Sequence, residues 1–137
     1  MTPTLDLSLH DGAAFDLDGV VTDTARVHAA AWKRLFDELG SGPAAPAFTP
    51  FDSVRDYDAL VDGKPRMDGI RDFLASRHIE LPPGGPGDAP DARTLHALSL
   101  RKEALFLAQL QADGVHVFPD AIELLERLRM AGVRIAV

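Results

Sequence analysis

Apolar positions change their spacing along this chain, and each spacing predicts an element. Residues 12–17, GAAFDL, form a short apolar run that ends in acids and predicts a buried strand stopping at a charged loop. A helical pattern begins near Thr24. Val27, Ala31, Leu35 and Leu39 recur at every fourth residue, and Gly40 stands where a C-cap glycine belongs. Residues 41–50, SGPAAPAFTP, read as a proline-rich connection. Val54, Tyr57, Leu60 and Val61 make a second short amphipathic stretch, closed by Gly63. Pro65 suits the first turn of a third helix, whose apolar face is Ile70, Phe73 and Leu74. Residues 80–90, ELPPGGPGDAP, are dense in Pro and Gly and predict a mobile loop. A long helix is expected from about Ala92 to Ala112, with Leu95, Leu98, Leu105 and Phe106 as its apolar stripe. Phe118 and Pro119 open another, carrying Ile122, Leu125 and Leu128 and ended by Gly132. VRIAV, residues 133–137, has the β-branched character of a strand.

Two apolar strands separated by helices favour a parallel α/β core. The stretch between them is far longer than one crossover needs. It reads as a helical cap, residues 25–114, inserted into a partial α/β core made of residues 1–24 and 115–137. A parallel sheet is buried on both faces and ordinarily has several strands. Only two are supplied, and Val137 falls where the middle of a sheet is expected. The core is therefore expected to be incomplete.

Composition narrows the function classes. The chain has 137 residues, 46% hydrophobic and 26% charged, which fits one ordinary globular domain. A formal charge of −7 argues against a nucleic-acid or anionic-membrane partner, although a local cluster of cations could still hold a small anionic substrate. With no cysteine there is no disulfide, thiolate metal site or cysteine nucleophile. The first residues, MTPTLDLSLHDG, lack a basic segment followed by a long apolar one, and no stretch approaches the ~18 apolar residues of a membrane span. A cytoplasmic protein is the default expectation.

The acids behind the first strand add chemistry. Asp16, Asp18 and Asp23 crowd into AAFDLDGVVTD, where like charges repel. Strand alternation predicts that Asp16 and Asp18 point the same way and Leu17 the other, with Gly19 permitting a tight turn. Carboxylates at the carboxyl end of a first parallel strand lie where α/β folds place ligands. A hard cation such as Mg²⁺ would compensate them. An acidic surface turn is the plainer alternative.

FDLDGVVTD resembles the first signature of the haloacid-dehalogenase superfamily of phosphotransferases. DTARVHAAAWKRLFDELG, VDGKPRMDG, LRKE and VFPDAIELLERLRMAGVRIAV continue that resemblance, in order, toward its β-phosphoglucomutase-like branch. The resemblance implies Asp16 as the nucleophile that forms an aspartyl phosphate and Asp18 as general acid and base. It places Mg²⁺ on the Asp16 carboxylate and the Asp18 main-chain carbonyl. The second Asp argues against dehalogenase activity. His28 and Trp32 lie one turn apart. On the residues alone they read as a solvated histidine beside a core tryptophan, whereas the resemblance has them face the site and steady Asp18. Gly63, Lys64 and Arg66 could be a plain interhelical turn with solvated cations. The resemblance makes them the site for the substrate's non-reacting phosphate, and Arg66 offers a planar fork for it. Lys102 interrupts an apolar stripe, where a lysine ordinarily snorkels to water. The resemblance makes it a substrate contact.

The superfamily also uses a Ser or Thr after its second core strand, a later Lys and late acids, and these do not occur in the 137 residues. Asp120 replaces a common Gly. The resemblance therefore implies the N-terminal portion of a longer enzyme, with little turnover by itself. The activity it implies is Mg²⁺-dependent phosphoryl transfer on a small phosphorylated sugar, by a phosphomutase passing through a bisphosphate. A phosphatase acting on a small phosphate ester and a non-catalytic fragment remain alternatives. A completed protein is expected to be a monomer.

Overall fold

The computed structural model describes Asp6 and residues 9–41 and 48–137. Residues 1–5 and 7–8 of the N-terminal stretch and residues 42–47 of the proline-rich connection lie outside the described residues. The elements run β1 (Gly12–Ala14), α1 (Thr24–Gly40), a π-helical turn (Tyr57–Val61), α2 (Arg66–Ser76), α3 (Leu95–Asp113), α4 (Pro119–Met130) and β2 (Arg134–Ala136). The chain divides into two compact units, residues 1–26 with 115–137 and residues 27–114, with the division falling inside α1.

In the first unit β1 and β2 pair in parallel, Gly12 with Arg134, Ala13 with Ile135 and Ala14 with Ala136. The Phe15 N–H extends the pairing to the Ala136 carbonyl at 2.9 Å. Helix α4 precedes β2. It ends where Gly132 takes a φ of +77°, a conformation that glycine adopts without strain. Beyond the strands, Asp23 N–H bonds to the His116 carbonyl at 2.8 Å and Phe118 N–H to the Val21 carbonyl at 3.0 Å. Among the described residues only Val21 and Leu128 are buried hydrophobics of this unit, whereas Leu17, Val20, Val117, Ile122, Leu124 and Val137 are exposed. The expected burial of a parallel sheet on both faces is not met. Gly12, Ala14, Arg134 and Ala136 all lie exposed.

The second unit has a dense core. Val27, Ala31, Leu35 and Leu39 are all buried, as the fourfold spacing requires. Trp32, Leu35, Phe36 and Leu39 from α1 cluster with Phe51, Val61, Leu98 and the predicted α2 face of Ile70, Phe73 and Leu74. The Phe36 ring lies 3.7 Å from that of Phe73 and 5.3 Å from that of Trp32, centroid to centroid.

Several boundaries differ from the sequence expectation. Strand β1 stops three residues early, because the chain turns into the acidic loop. Gly40 is the last helical residue and is not a left-handed cap. Its lack of a side chain serves packing instead, since a Cβ there would stand 2.0 Å from Phe48 Cδ1. The second amphipathic stretch is a single π turn, and the long helix starts at Leu95 because the Thr94 hydroxyl caps it, accepting from Ala97 N–H at 3.1 Å. The Pro- and Gly-rich loop before it is tied to the helix start. Leu95 and His96 N–H reach the Pro82 and Pro83 carbonyls at 3.0 Å each. The Thr94 hydroxyl and the Gly85 N–H donate to Asp88 and hold its carboxyl below the usual carboxylate range.

Arg77 gathers the segment around Phe51, which Lys33 and Asp37 also hold. Arg77 donates to the Thr49 carbonyl at 3.1 Å, to the Pro50 carbonyl at 3.3 Å and to the Asp56 carboxylate, while its guanidinium lies 4.6 Å from the Phe73 ring centre. The Arg77 and Asp56 side chains are only 14% and 19% exposed. Arg77→Ala leaves a shielded carboxylate and two carbonyls without this donor. It is expected to cost about 2–3 kcal/mol in chemical denaturation.

Candidate active site

Asp16 and Asp18 lie beyond the end of β1, so strand alternation does not set their directions. A tight loop does. The Leu17 carbonyl accepts from Val21 N–H at 3.0 Å, Thr22 N–H at 2.9 Å and the Thr22 hydroxyl at 3.1 Å. The Gly19 N–H returns to the Thr22 carbonyl at 2.7 Å, and Gly19 takes a φ of +78° that a side chain would strain. The turn the sequence assigned to Gly19 is therefore present. Inside it, Asp16 Oδ1 accepts from the Leu17 N–H at 2.9 Å. Asp18 Oδ1 accepts from the Thr24 hydroxyl, which stands 3.0 Å from that of Thr22. Thr22 and Thr24 are buried, whereas Asp16 and Asp18 are exposed. Asp23, the third acid, has Arg26 Nε at 3.6 Å from its carboxylate.

The donors of this loop are carboxylate and carbonyl oxygens, the kind a hard cation takes. Among the described residues no group of three or more His, Asp or Glu side chains is arranged to hold a metal ion. The loop thus matches Mg²⁺ in donor chemistry and supplies only part of a coordination shell.

The other candidates belong to the unit of residues 27–114. Lys102 does not snorkel. It is 3% exposed, and its Nζ lies 2.7 Å from His28 Nδ1, 5.0 Å from the Trp32 ring centre and 4.9 Å from that of Phe106. His28 stacks on Phe106 at 4.1 Å. An ammonium taken out of water is costly, and the ring faces and imidazole nitrogen offset that. If Lys102 donates, His28 accepts at Nδ1 and carries its proton at Nε2. Trp32 joins the core while turning its ring toward Lys102. The sequence had Phe106 only as part of an apolar stripe. Its stacking partner on α1 is invisible to spacing along α3.

Gly63 takes a φ of +65° with open space where a side chain would be. Lys64 Nζ donates to Asp72 Oδ2 at 2.6 Å and to the Ala59 carbonyl at 3.2 Å. Arg66 pairs through Nη2 with Glu103 and reaches the Ser99 carbonyl through Nη1 at 3.5 Å. Pro65 stands at the N-cap of α2 and lends it no side-chain bond. Both cations of the segment thus face carboxylates that the sequence reading did not single out. Residues 66 and 103 meet only because α2 packs on α3, and no local pattern announces the pair.

The family model of haloacid dehalogenase-like hydrolases matches residues 10–137. The chain belongs to the haloacid dehalogenase-like hydrolase family. Within it, the chain is similar to the β-phosphoglucomutases of Mycobacterium tuberculosis and Mycobacterium bovis, at 45% identity over 126 residues, 90% of this chain and 48% of theirs. It spans about half the length of these relatives. It is also 40% identical over 138 residues to an uncharacterized glycosyl hydrolase of M. tuberculosis, covering 98% of this chain and 10% of that protein. The crystal structure of CbbY from Rhodobacter sphaeroides in complex with phosphate shares the fold, with a TM-score of 0.60 and 23% identity over 92% of this chain and 49% of that one. Among the described residues no helix is long and apolar enough to cross a membrane.

Proposed function

We propose that this chain carries the nucleophile and the substrate cap of a Mg²⁺-dependent phosphotransferase of the β-phosphoglucomutase type, acting on a hexose phosphate. The observation that carries the reading is the acidic loop, in which two exposed carboxylates are fixed by local hydrogen bonds within a signature typical of the family. The similarity to β-phosphoglucomutases supports the branch and the sugar phosphate.

In this reading Asp16 attacks phosphorus through its carboxylate, the bond to the sugar oxygen breaks, and an aspartyl phosphate forms. Asp18 gives its proton to the departing sugar oxygen and later takes one from the incoming hydroxyl. The Thr24 hydroxyl holds Asp18 in place meanwhile. The Asp16 carboxylate and the Asp18 main-chain carbonyl would hold Mg²⁺, which would offset charge on the transferring group. Residues 25–114 act as the substrate cap. Arg66, Lys64 and Gly63 take the non-reacting phosphate. Lys102, set by His28 and Trp32, contacts the substrate.

A phosphatase is the second reading, favoured by the hydrolase description of the family. It uses the same residues, with water as acceptor. Phosphorus NMR of a hexose 1-phosphate incubated with Mg²⁺ and a protein carrying this sequence separates the two. A sugar bisphosphate followed by the isomerised sugar phosphate supports the mutase. Inorganic phosphate as the sole product replaces it with the phosphatase. Binding without either product reduces the chain to a ligand-binding fragment.

A further inference from the structure

Arg66 is already neutralised from within the unit of residues 27–114. Its partner Glu103 comes from α3, while Arg66 opens α2. Both side chains are about two-fifths exposed, at 38% and 41%. An ion pair so wet adds little to stability. The two helices are in any case held together by buried Ile70, Phe73 and Leu98. The second bond from Arg66, to the Ser99 carbonyl, is long at 3.5 Å. The pair can therefore be exchanged at small cost.

We infer that Glu103 determines anion specificity at Arg66, acting as a tethered carboxylate that a phosphate dianion displaces and a free carboxylate does not. The inference rests on the reading of Arg66 as the site of the non-reacting phosphate. A carboxylate ligand offers the guanidinium one negative charge and two oxygens, as Glu103 does already. Glu103 also has the advantage of an effective concentration on the order of millimolar or above. A phosphate dianion offers more charge and a third oxygen, so it gains where the carboxylate only breaks even. Glu103 thus admits sugar phosphates and turns away sugar acids.

The test is titration of the full chain with inorganic phosphate and, separately, acetate at fixed ionic strength near neutral pH. Calorimetry gives the affinity, and nitrogen-edited NMR follows the Arg66 side chain. Phosphate is expected to bind the unaltered chain and acetate not. Glu103→Gln should bind phosphate about tenfold more tightly and bring acetate binding into view, and Glu103→Ala should do the same. Both should melt with the unaltered chain, which a merely structural role for Glu103 would not give. Arg66→Gln should lose both anions. If the Glu103 variants match the unaltered chain while Arg66→Gln loses phosphate, Glu103 is no competitor and the role of Arg66 stands. If Arg66→Gln binds phosphate as the unaltered chain does, or no form binds it, the Arg66 reading falls and takes this inference with it.

Discussion

Asp16→Asn is expected to abolish phosphoryl transfer, by at least about a thousandfold in kcat, in a protein carrying this sequence. An amide cannot accept the phosphoryl group, whereas its oxygen can still accept the 2.9 Å bond from the Leu17 N–H that orders the loop. The loop should therefore stay folded while the chemistry stops. Asp18→Asn is the control. It keeps the nucleophile and removes the proton donor, so Asp16 can still be phosphorylated, slowly. Mass spectrometry after incubation with sugar phosphate and Mg²⁺ reads both. A phosphorylated Asp16→Asn protein, or unchanged turnover, would sink the assignment.

The second large effect is on stability. Phe36 has no exposed surface and lies between the rings of Trp32, Phe51 and Phe73. Phe36→Ala removes the centre of that stack and is expected to cost about 3–5 kcal/mol, a large share of a small domain's net stability. Urea denaturation followed by Trp32 fluorescence reports it directly, because the indole packs on the deleted ring. A loss under about 1 kcal/mol would mean the aromatic stack collapses around the gap far more readily than close-packed cores do.

How far the sequence spoke depended on whether a signal was local. The fourfold apolar repeat from Val27 to Leu39 named the buried face of α1, and Ile70, Phe73 and Leu74 named that of α2, because helical burial repeats along the helix itself. The order of strand, helices and strand gave the parallel pairing of β1 with β2. The acidic loop was legible as a motif, although its shape rests on the Leu17 carbonyl and the Thr22 and Thr24 hydroxyls and not on strand alternation. Lys102 stood out as a charge inside an apolar stripe, but its burial did not follow from that position, where a lysine ordinarily reaches water. Its bond to His28 could not be read, since it spans 74 residues and depends on how α1 meets α3. The carboxylates opposite Lys64 and Arg66 escaped notice for the same reason. Gly40 was misread because a glycine after an apolar repeat signals a cap, and nothing local shows that the Phe48 ring lies against it.

The uneven burial of the two units has a consequence for how the chain breathes. Residues 27–114 hold a nearly continuous set of fully buried aromatic and aliphatic side chains, whereas Val21 and Leu128 are the buried hydrophobics described in the other unit. Opening free energy follows buried apolar contact, so backbone amides should trade their protons for deuterium on two schedules. Those of α1 around Leu35 and of α2 around Phe73 would exchange slowly, through the opening of the whole unit. Those of β1 and β2 would exchange early, through local fraying of a two-stranded ribbon that is exposed on the face of Gly12, Ala14, Arg134 and Ala136. The strand that leads into Asp16 would then open more readily than the helices of residues 27–114, although the proposed chemistry depends on it.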